Sequence, residues 1–482
     1  MTGRGNLARP LDVDSPDRGT LMTVRLRFRL VLLAAAVLLG PHAAVAQETA
    51  RITVPYTQFT LANGLNVILH EDHTVPLVAV NAWYRVGSSR EKPGRTGFAH
   101  LFEHLMFEGS GHVPEGDFDN WLEAAGGDNN GSTNNDRTNY WETVPSNALE
   151  LALFLESDRM GYLLAAMSPQ KVNGQRDIVK NERRQSYENR PYGMASLKLA
   201  EELFPPTHPY HWPVIGSMKD LTAASYDDVV KFFKTWYGAN NTSLVVAGDI
   251  DPAEARQLVE KWFSDVPRGA PVPPLSAPTP VLQSEKRLTL EDQVQLPRLY
   301  LAWLTPPLLV PGDETMDVLA RVLAFGKNSR LFKRLVYDLQ IAQDVSASQN
   351  SGALGSFFLI TATAREGHGL AELEKVIAEE LGKVKDAPPA ARELERAVNQ
   401  IESAFYGALE RVGGFGGKAD QLNSYDFYAE RPDYFAEDLA RYTSLDPRDL
   451  QSAARRYLRD DARLVLSVVP KGKPALAAGK KP

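Results

Sequence analysis

The sequence predicts an α+β fold of two similar halves, each with helices packed on a mainly antiparallel sheet. Three observations predict it. Strand-like segments alternate with runs of helical periodicity. The order of these segments returns, weakly, in the second part of the chain. A stretch rich in Pro, Ala and Gly, residues 268–280 (RGAPVPPLSAPTP), lies between the two runs and reads as a linker. A length of 482 residues also favours more than one domain.

The first half opens with strand signals. Phe59 to Leu61, an Asn63-Gly64 turn and Leu65 to Leu69 read as a hairpin. Val78 to Val86 continues as an apolar strand. The period then becomes helical from Phe98 to Phe107, and Trp121 to Ala124 sits in a second helix. Thr138 to Val144 alternates like a strand. Helices follow from Asn147 to about Leu164 and from Pro169 to about Asn189. Thr242 to Ala247 is a strand, and Asp251-Pro252 opens another helix. Beyond the linker, Leu299 to Leu304 matches the strand at Val78, and Met316 to Phe325 matches the helix at Phe98. Phe357 to Ala364 is a further strand. Ala462 to Val469 echoes Thr242 to Ala247. The stretch Gly413 to Gly417 (GGFGG) reads equally as a mobile loop or a helix-breaking turn.

Composition excludes several function classes. Hydrophobic residues are 43% and charged residues 23% of the chain, an ordinary globular balance. The net charge is -7, without the basic surplus of a nucleic-acid binder. There is no cysteine, so disulfides, thiolate ligands and a cysteine nucleophile are excluded. A metal would have to be held by His, Asp or Glu.

The N-terminus reads as an export signal. Arg25, Arg27 and Arg29 precede the apolar run Leu30 to Gly40, and Ala44-Val45-Ala46 gives a small-x-small cleavage pattern. The run has eleven residues. A spanning helix needs roughly 20. Residues 1–46 are therefore expected to be a leader and signal peptide, with Met22 an alternative start. Their removal takes away six Arg and three Asp and leaves a net charge of about -10. The expectation is a periplasmic or secreted protein with no stable membrane insertion after cleavage.

Gly97 to Gly109 (GFAHLFEHLMFEG) contains His-x-x-Glu-His. On a helix, His100 and His104 lie one turn apart on one face and can share a Zn²⁺ ion. Glu103 lies beside that face, within reach of a metal-bound water as a general base. Burying two His and a Glu among Leu, Phe and Met is costly without a metal or partner. Catalytic zinc takes three protein ligands, and no third His is suitably close. A carboxylate from another helix is expected. In the segment Gln175 to Arg184, Glu182 shares a face with Ile178 and Val179, with Gln175 a further turn behind. The bland alternative is an ion pair of Glu182 with Arg183 or Arg184. Asp177 and Glu188 are rotated off that face.

With these residues the sequence resembles the pitrilysin, insulysin and mitochondrial-processing-peptidase family, in its short two-domain bacterial form. The resemblance spans about residues 55–470. It rests on Gly97 to Gly109, on Thr138-x-Tyr140, and on Val179-x-x-Glu182, 78 residues after His104. It implies a metalloendopeptidase with one Zn²⁺ per chain. His100, His104 and Glu182 would be ligands and Glu103 the base. Many members carry a second Glu seven residues before the third ligand. Gln175 stands there and would act behind the ligands, through a hydrogen bond. The resemblance also implies that an extended peptide adds to a sheet edge at Asn129, Asn130, Gly131 and Ser132, with Tyr140 nearby.

The matching boundaries are a zinc-binding domain at 47–267, a linker at 268–284, a homologous domain at 285–470 and a tail at 471–482. Aligning Gly109 with Gly326 sets Asp317, Ala320 and Arg321 opposite His100, Glu103 and His104, so the second half has no metal set. Active family members present an Arg and a Tyr, seven residues apart, from the half facing the zinc. Val336 and Gln343 stand at those positions here. The expectation is a zinc endopeptidase for short or unfolded peptides. It would be the catalytic subunit of a heterodimer whose homologous partner supplies the Arg/Tyr pair. The alternatives are a non-catalytic peptide-binding or assembly subunit, and a zinc hydrolase of a non-peptide substrate.

Overall fold

The structure, a computed structural model, describes residues 52–479, so the export-signal reading lies outside the described residues. In the first half come β1 (Thr57–Thr60), β2 (Asn66–Glu71), β3 (Leu77–Tyr84), α1 (Phe98–Leu105), α2 (Asp117–Ala124), β4 (Asp128–Thr133) and β5 (Thr138–Pro145). Then follow α3 (Leu149–Ala166), α4 (Pro169–Arg183), α5 (Met194–Leu203), α6 (Met218–Ala223), α7 (Tyr226–Trp236), β6 (Thr242–Gly248) and α8 (Pro252–Phe263). The second half has β7 (Lys286–Asp292), β8 (Arg298–Thr305), α9 (Asp313–Ala324), β9 (Ala342–Asn350), β10 (Ser356–Ala364), α10 (Leu370–Asp386) and α11 (Ala391–Leu409). It ends with α12 (Lys418–Ala429), α13 (Phe435–Thr443), α14 (Pro447–Tyr457) and β11 (Leu464–Pro470).

Two sheets result, as the repeated order predicts. The first runs β1-β2-β6-β3-β5-β4 and the second β7-β11-β8-β10-β9. Among the described residues only β2–β6 and β7–β11 pair in parallel. In each half one face of the sheet meets its own helices, with Leu101, Phe102 and Leu105 of α1 buried in the first and Met316, Leu319 and Leu323 of α9 in the second.

The other face of each sheet is covered by the opposite half. Ala419 and Leu422 of α12 pack on Ile68, Ala79, Val245 and Ala247 of the first sheet. Ala195, Leu199 and Leu203 of α5 pack on Tyr300, Ala302, Leu464 and Leu466 of the second. The Gly413 to Gly417 stretch is a packed turn in this exchange. A Cβ at Gly413 would lie 2.0 Å from Thr143 Oγ1, and Phe415 meets Trp141 edge-on at 5.5 Å. The two halves therefore share cores, and the central strands β6 and β11 are buried on both faces.

Candidate metal centre

Glu91 fixes the start of α1. Its buried carboxylate accepts the Gly97 and Ala99 N–H groups at 2.9 and 2.8 Å, satisfying two donors a helix start leaves orphaned. Burial pushes the Glu91 carboxyl up to about 8 against those bonds. From this start Phe98, Leu101, Phe102 and Leu105 turn inward, while His100, Glu103 and His104 face away from the core. Pro169 begins α4, and Ser168 caps it by accepting the Lys171 N–H.

The face of α4 that meets α1 is Val172, Gln175, Val179 and Glu182, the first three buried. Ile178 is a correction to the sequence reading: it is 48% exposed and points to solvent. The i, i+4, i+7 stripe through Gln175, Val179 and Glu182 leaves Ile178 off the contact. The helical path predicted to about Asn189 continues to Glu188, but as a π turn from Arg184, two residues after Glu182.

His100, His104 and Glu182 offer three donor atoms all within 4.8 Å of one another. Glu182 Oε2 lies 3.6 Å from His100 Nε2 and 3.4 Å from His104 Nε2. Burial holds His100 down to about 4, against the pull of Glu182. Burial also opposes a charge on His104, but Glu182, Glu103 and Gln175 together hold it above its ordinary range. The His104 hydrogen bond holds Glu182 low. Two imidazoles and one ionised carboxylate, in a chain without thiols, are the donor set that suits a zinc ion with one open position. Among the described residues no other such cluster of His, Asp and Glu occurs. Gln175 hydrogen-bonds His104 and donates to Glu108 Oε1 at 2.5 Å.

Glu103 turns toward β4. Its Oε2 accepts the Thr133 hydroxyl at 2.6 Å, and burial raises its carboxyl while that bond eases it down. The strand β4 pairs only with β5 and is the sheet edge. The Asn134 N–H bonds the Arg137 carbonyl and closes the hairpin. By antiparallel alternation, Asn130 and Ser132 spend their backbone groups on β5. Asn129, Gly131 and Thr133 turn theirs to the open edge. The Gly131 N–H is taken by Asn130 Oδ1 at 2.8 Å. A Cβ at Gly131 would meet Glu103 Cγ and Phe107 at 3.3 Å, which explains the glycine. Ser132 Oγ donates to Asn139 Oδ1, and Asn129 donates to Asp119.

Tyr140 is a second correction. It is fully buried under β4, against Tyr84, Phe107 and the Arg159 guanidinium, and cannot touch a peptide on the edge. Arg159 lies in the same core, bonded to Glu142 at 2.6 Å and to Glu156.

A cavity of about 390 Å³ opens beside His100 and Glu182. Its wall includes Thr133, Tyr187 and Ile215, together with Ser351 and Gly352 from the second half. Asp136 holds the two halves here. It accepts the Tyr210 hydroxyl, the Ala353 N–H at 3.0 Å and the Tyr428 hydroxyl at 3.4 Å. Thr133 closes the edge segment that begins at Asn129, and a period of two through Asn129 and Gly131 marks it; Asp136 and the Ser351 hairpin carry no such signal. In the second half, Gln343 is exposed on the edge strand β9 and Val336 is half-buried.

Comparison with known proteins gives the family. A family profile described as "Insulinase (Peptidase family M16)" matches residues 66–204, and "Peptidase M16 inactive domain" matches residues 223–401. The zinc protease PqqE of Helicobacter pylori is 27% identical over 85% of this chain and 92% of its own length. A probable mitochondrial-processing peptidase subunit beta of Arabidopsis thaliana is 23% identical over 89% of this chain and 82% of its own. The crystal structure of a protease from Helicobacter pylori superposes with a TM-score of 0.80 at 25% identity, over 86% of this chain and all of that one. Two profiles of one family, matching successive parts of the chain, and a shared two-half architecture place the chain in the M16 (insulinase) peptidase family.

Proposed function

We propose that this chain is a zinc-dependent endopeptidase for short or unfolded peptides, and the catalytic subunit of a heterodimer. The observation that carries the reading is the convergence of His100, His104 and Glu182 beside Glu103, next to a free strand edge. When bound, a zinc ion would supply a Lewis acid that acidifies a water and polarises a carbonyl. His100, His104 and Glu182 would hold it.

The chain's own residues do the rest. A peptide lies along β4 as an added strand, bonding to the outward backbone groups of Asn129, Gly131 and Thr133. Asn130 must first release the Gly131 N–H. Glu103, held at Oε2 by Thr133, takes the proton of the attacking water and delivers it to the leaving amine. Recognition through backbone groups reads extended conformation more than side chains, so selection among unfolded peptides is broad.

The heterodimer rests on Val336 and Gln343, which cannot act as an Arg/Tyr pair toward the developing oxyanion. Loss of one such donor typically slows reaction by about 10²–10³-fold. Export to the periplasm or beyond rests on Leu30 to Gly40 and Ala44 to Ala46; among the described residues no helix is long and apolar enough to cross a membrane. The non-catalytic reading draws on the "inactive domain" profile, but residues 223–401 contain none of the four converging residues.

The test is hydrolysis of an unstructured peptide by the zinc-loaded chain, alone and with a homologous chain carrying the Arg/Tyr pair, against Glu103→Gln. Activity only in the mixture, abolished by Glu103→Gln, is expected. Full activity of the chain alone would overturn the heterodimer. Activity of Glu103→Gln within a few-fold of wild type, or none under any condition, would overturn the peptidase reading.

A further inference from the structure

The second half repeats the layout that creates the metal centre and fills it differently. α9 follows β8 as α1 follows β3, and α11 follows α10 as α4 follows α3. Where α1 and α4 bring His100, His104 and Glu182 together, α9 and α11 border a groove of about 1070 Å³. Arg321, the residue aligned with His104, lines it from α9, and Arg392 and Arg396, one turn apart, line it from α11.

None of these three guanidiniums is paired with an acid at close range; Asp317 attracts Arg321, and Glu393 attracts Arg396, only through space. Among the described residues none of them forms a salt bridge, although the chain carries a net charge of -7. The nearby Glu393 is committed through both oxygens to Arg330, at 2.7 Å each. The acid on the groove wall, Glu395, pairs with none of the three. Arg321 is instead stacked over Phe325, with its guanidinium carbon 4.8 Å from the ring centroid. Arg396 Nη2 is shut away from solvent with no acceptor. A buried donor without an acceptor is costly, and a carboxylate is the acceptor a guanidinium fits best.

We propose that this groove binds an acidic stretch of extended polypeptide, at a site separate from the His100–His104–Glu182 centre. Two or three carboxylates meet Arg321, Arg392 and Arg396. An apolar neighbour rests on Phe325, which is 53% exposed. Asn399 and Gln400 on the same wall offer amides to the peptide backbone. The volume and the spread of cations over two helices suit several residues of chain better than one small anion. The site does not depend on bound metal or on the peptidase reading.

The experiment is fluorescence anisotropy with a labelled peptide of alternating Glu and Phe, and with its Gln counterpart. The receptor is the full chain carrying Glu103→Gln, so that nothing is cleaved. The acidic peptide is expected to bind at least about tenfold more tightly than the neutral one, with affinity falling as salt rises. Arg321→Gln with Arg396→Gln is expected to remove that preference. Arg392 is exposed, so Arg392→Gln alone tests the site if the double variant fails to fold; a several-fold loss is expected. Equal binding of the two peptides, or acidic binding untouched by the folded variants, would overturn the proposal. Displacement of the peptide by inorganic phosphate at comparable concentration would also overturn it, showing a small-anion site.

Discussion

Thr133 Oγ1 donates a 2.6 Å hydrogen bond to Glu103 Oε2, joining the strand edge to the carboxylate of the His-x-x-Glu-His helix. The same residue turns its backbone to the open edge and its side chain to Glu103. A peptide on β4 and the residue proposed as base are thus positioned by one residue. Thr133→Val keeps the shape and removes the donor. It is expected to lower kcat by about tenfold, a hydrogen bond to a charged group being worth about 1.5–3 kcal/mol. Zinc content should be unchanged. Steady-state kinetics with metal analysis checks this, and wild-type kcat in the variant would show that Glu103 needs no such restraint.

Glu182→Gln tests the third ligand. The amide is a poor donor to zinc, so occupancy after dialysis should fall well below that of wild type. His104→Ala should behave likewise, whereas Glu103→Gln should retain metal. Metal analysis of the three variants decides the point, and full retention in Glu182→Gln would remove Glu182 from the set.

Arg159 supports the same hairpin from beneath. It sits in a fully buried cluster with Glu142 of β5 and Glu156 of α3, stacked 4.3 Å from the Phe118 ring centroid. Arg159→Met leaves two acids without their cation, and breaking a buried pair typically costs about 3–5 kcal/mol. A large drop in thermal midpoint is expected, read by calorimetry. An unchanged midpoint would mean that the two acids share a proton and need no cation.

Asp317 predicts a pH dependence. Burial, with Asp313 close by, pushes its carboxyl up to about 7 in the folded chain, although Tyr442 donates to it at 3.3 Å. A carboxyl whose folded value is raised favours folding while protonated. That contribution is complete below its unfolded value of about 3.9 and is lost as pH rises toward 7. Asp317→Asn removes the penalty. The variant should be more stable than wild type near pH 8 and about equal to it near pH 4. Melting curves at both values check the sign; a variant less stable near pH 8 would show that Asp317 is charged and paired in the fold.

The amino-acid order alone determined the elements and the chemistry that lies within one helix. The strand at Val78, the helix at Phe98 and their counterparts at Leu299 and Met316 follow from local period. The shared face of His100 and His104 follows from a spacing of four residues. Tertiary structure decided what depends on register and on contacts between distant segments. Ile178 and Val179 are neighbours of one chemical kind, yet only Val179 is buried, because α1 crosses α4 along one stripe. Tyr140 reads as a residue beside the peptide edge and is buried under it, because its position on β5 turns the side chain inward. Thr133 reaches Glu103, and Asp136 reaches Ala353, over sequence separations that no local pattern spans. The exchange of α5 and α12 between the halves has the same origin. Each sheet has a second apolar face that its own helices do not cover. What covers it is set by the packing of the whole chain, not by any periodicity within it.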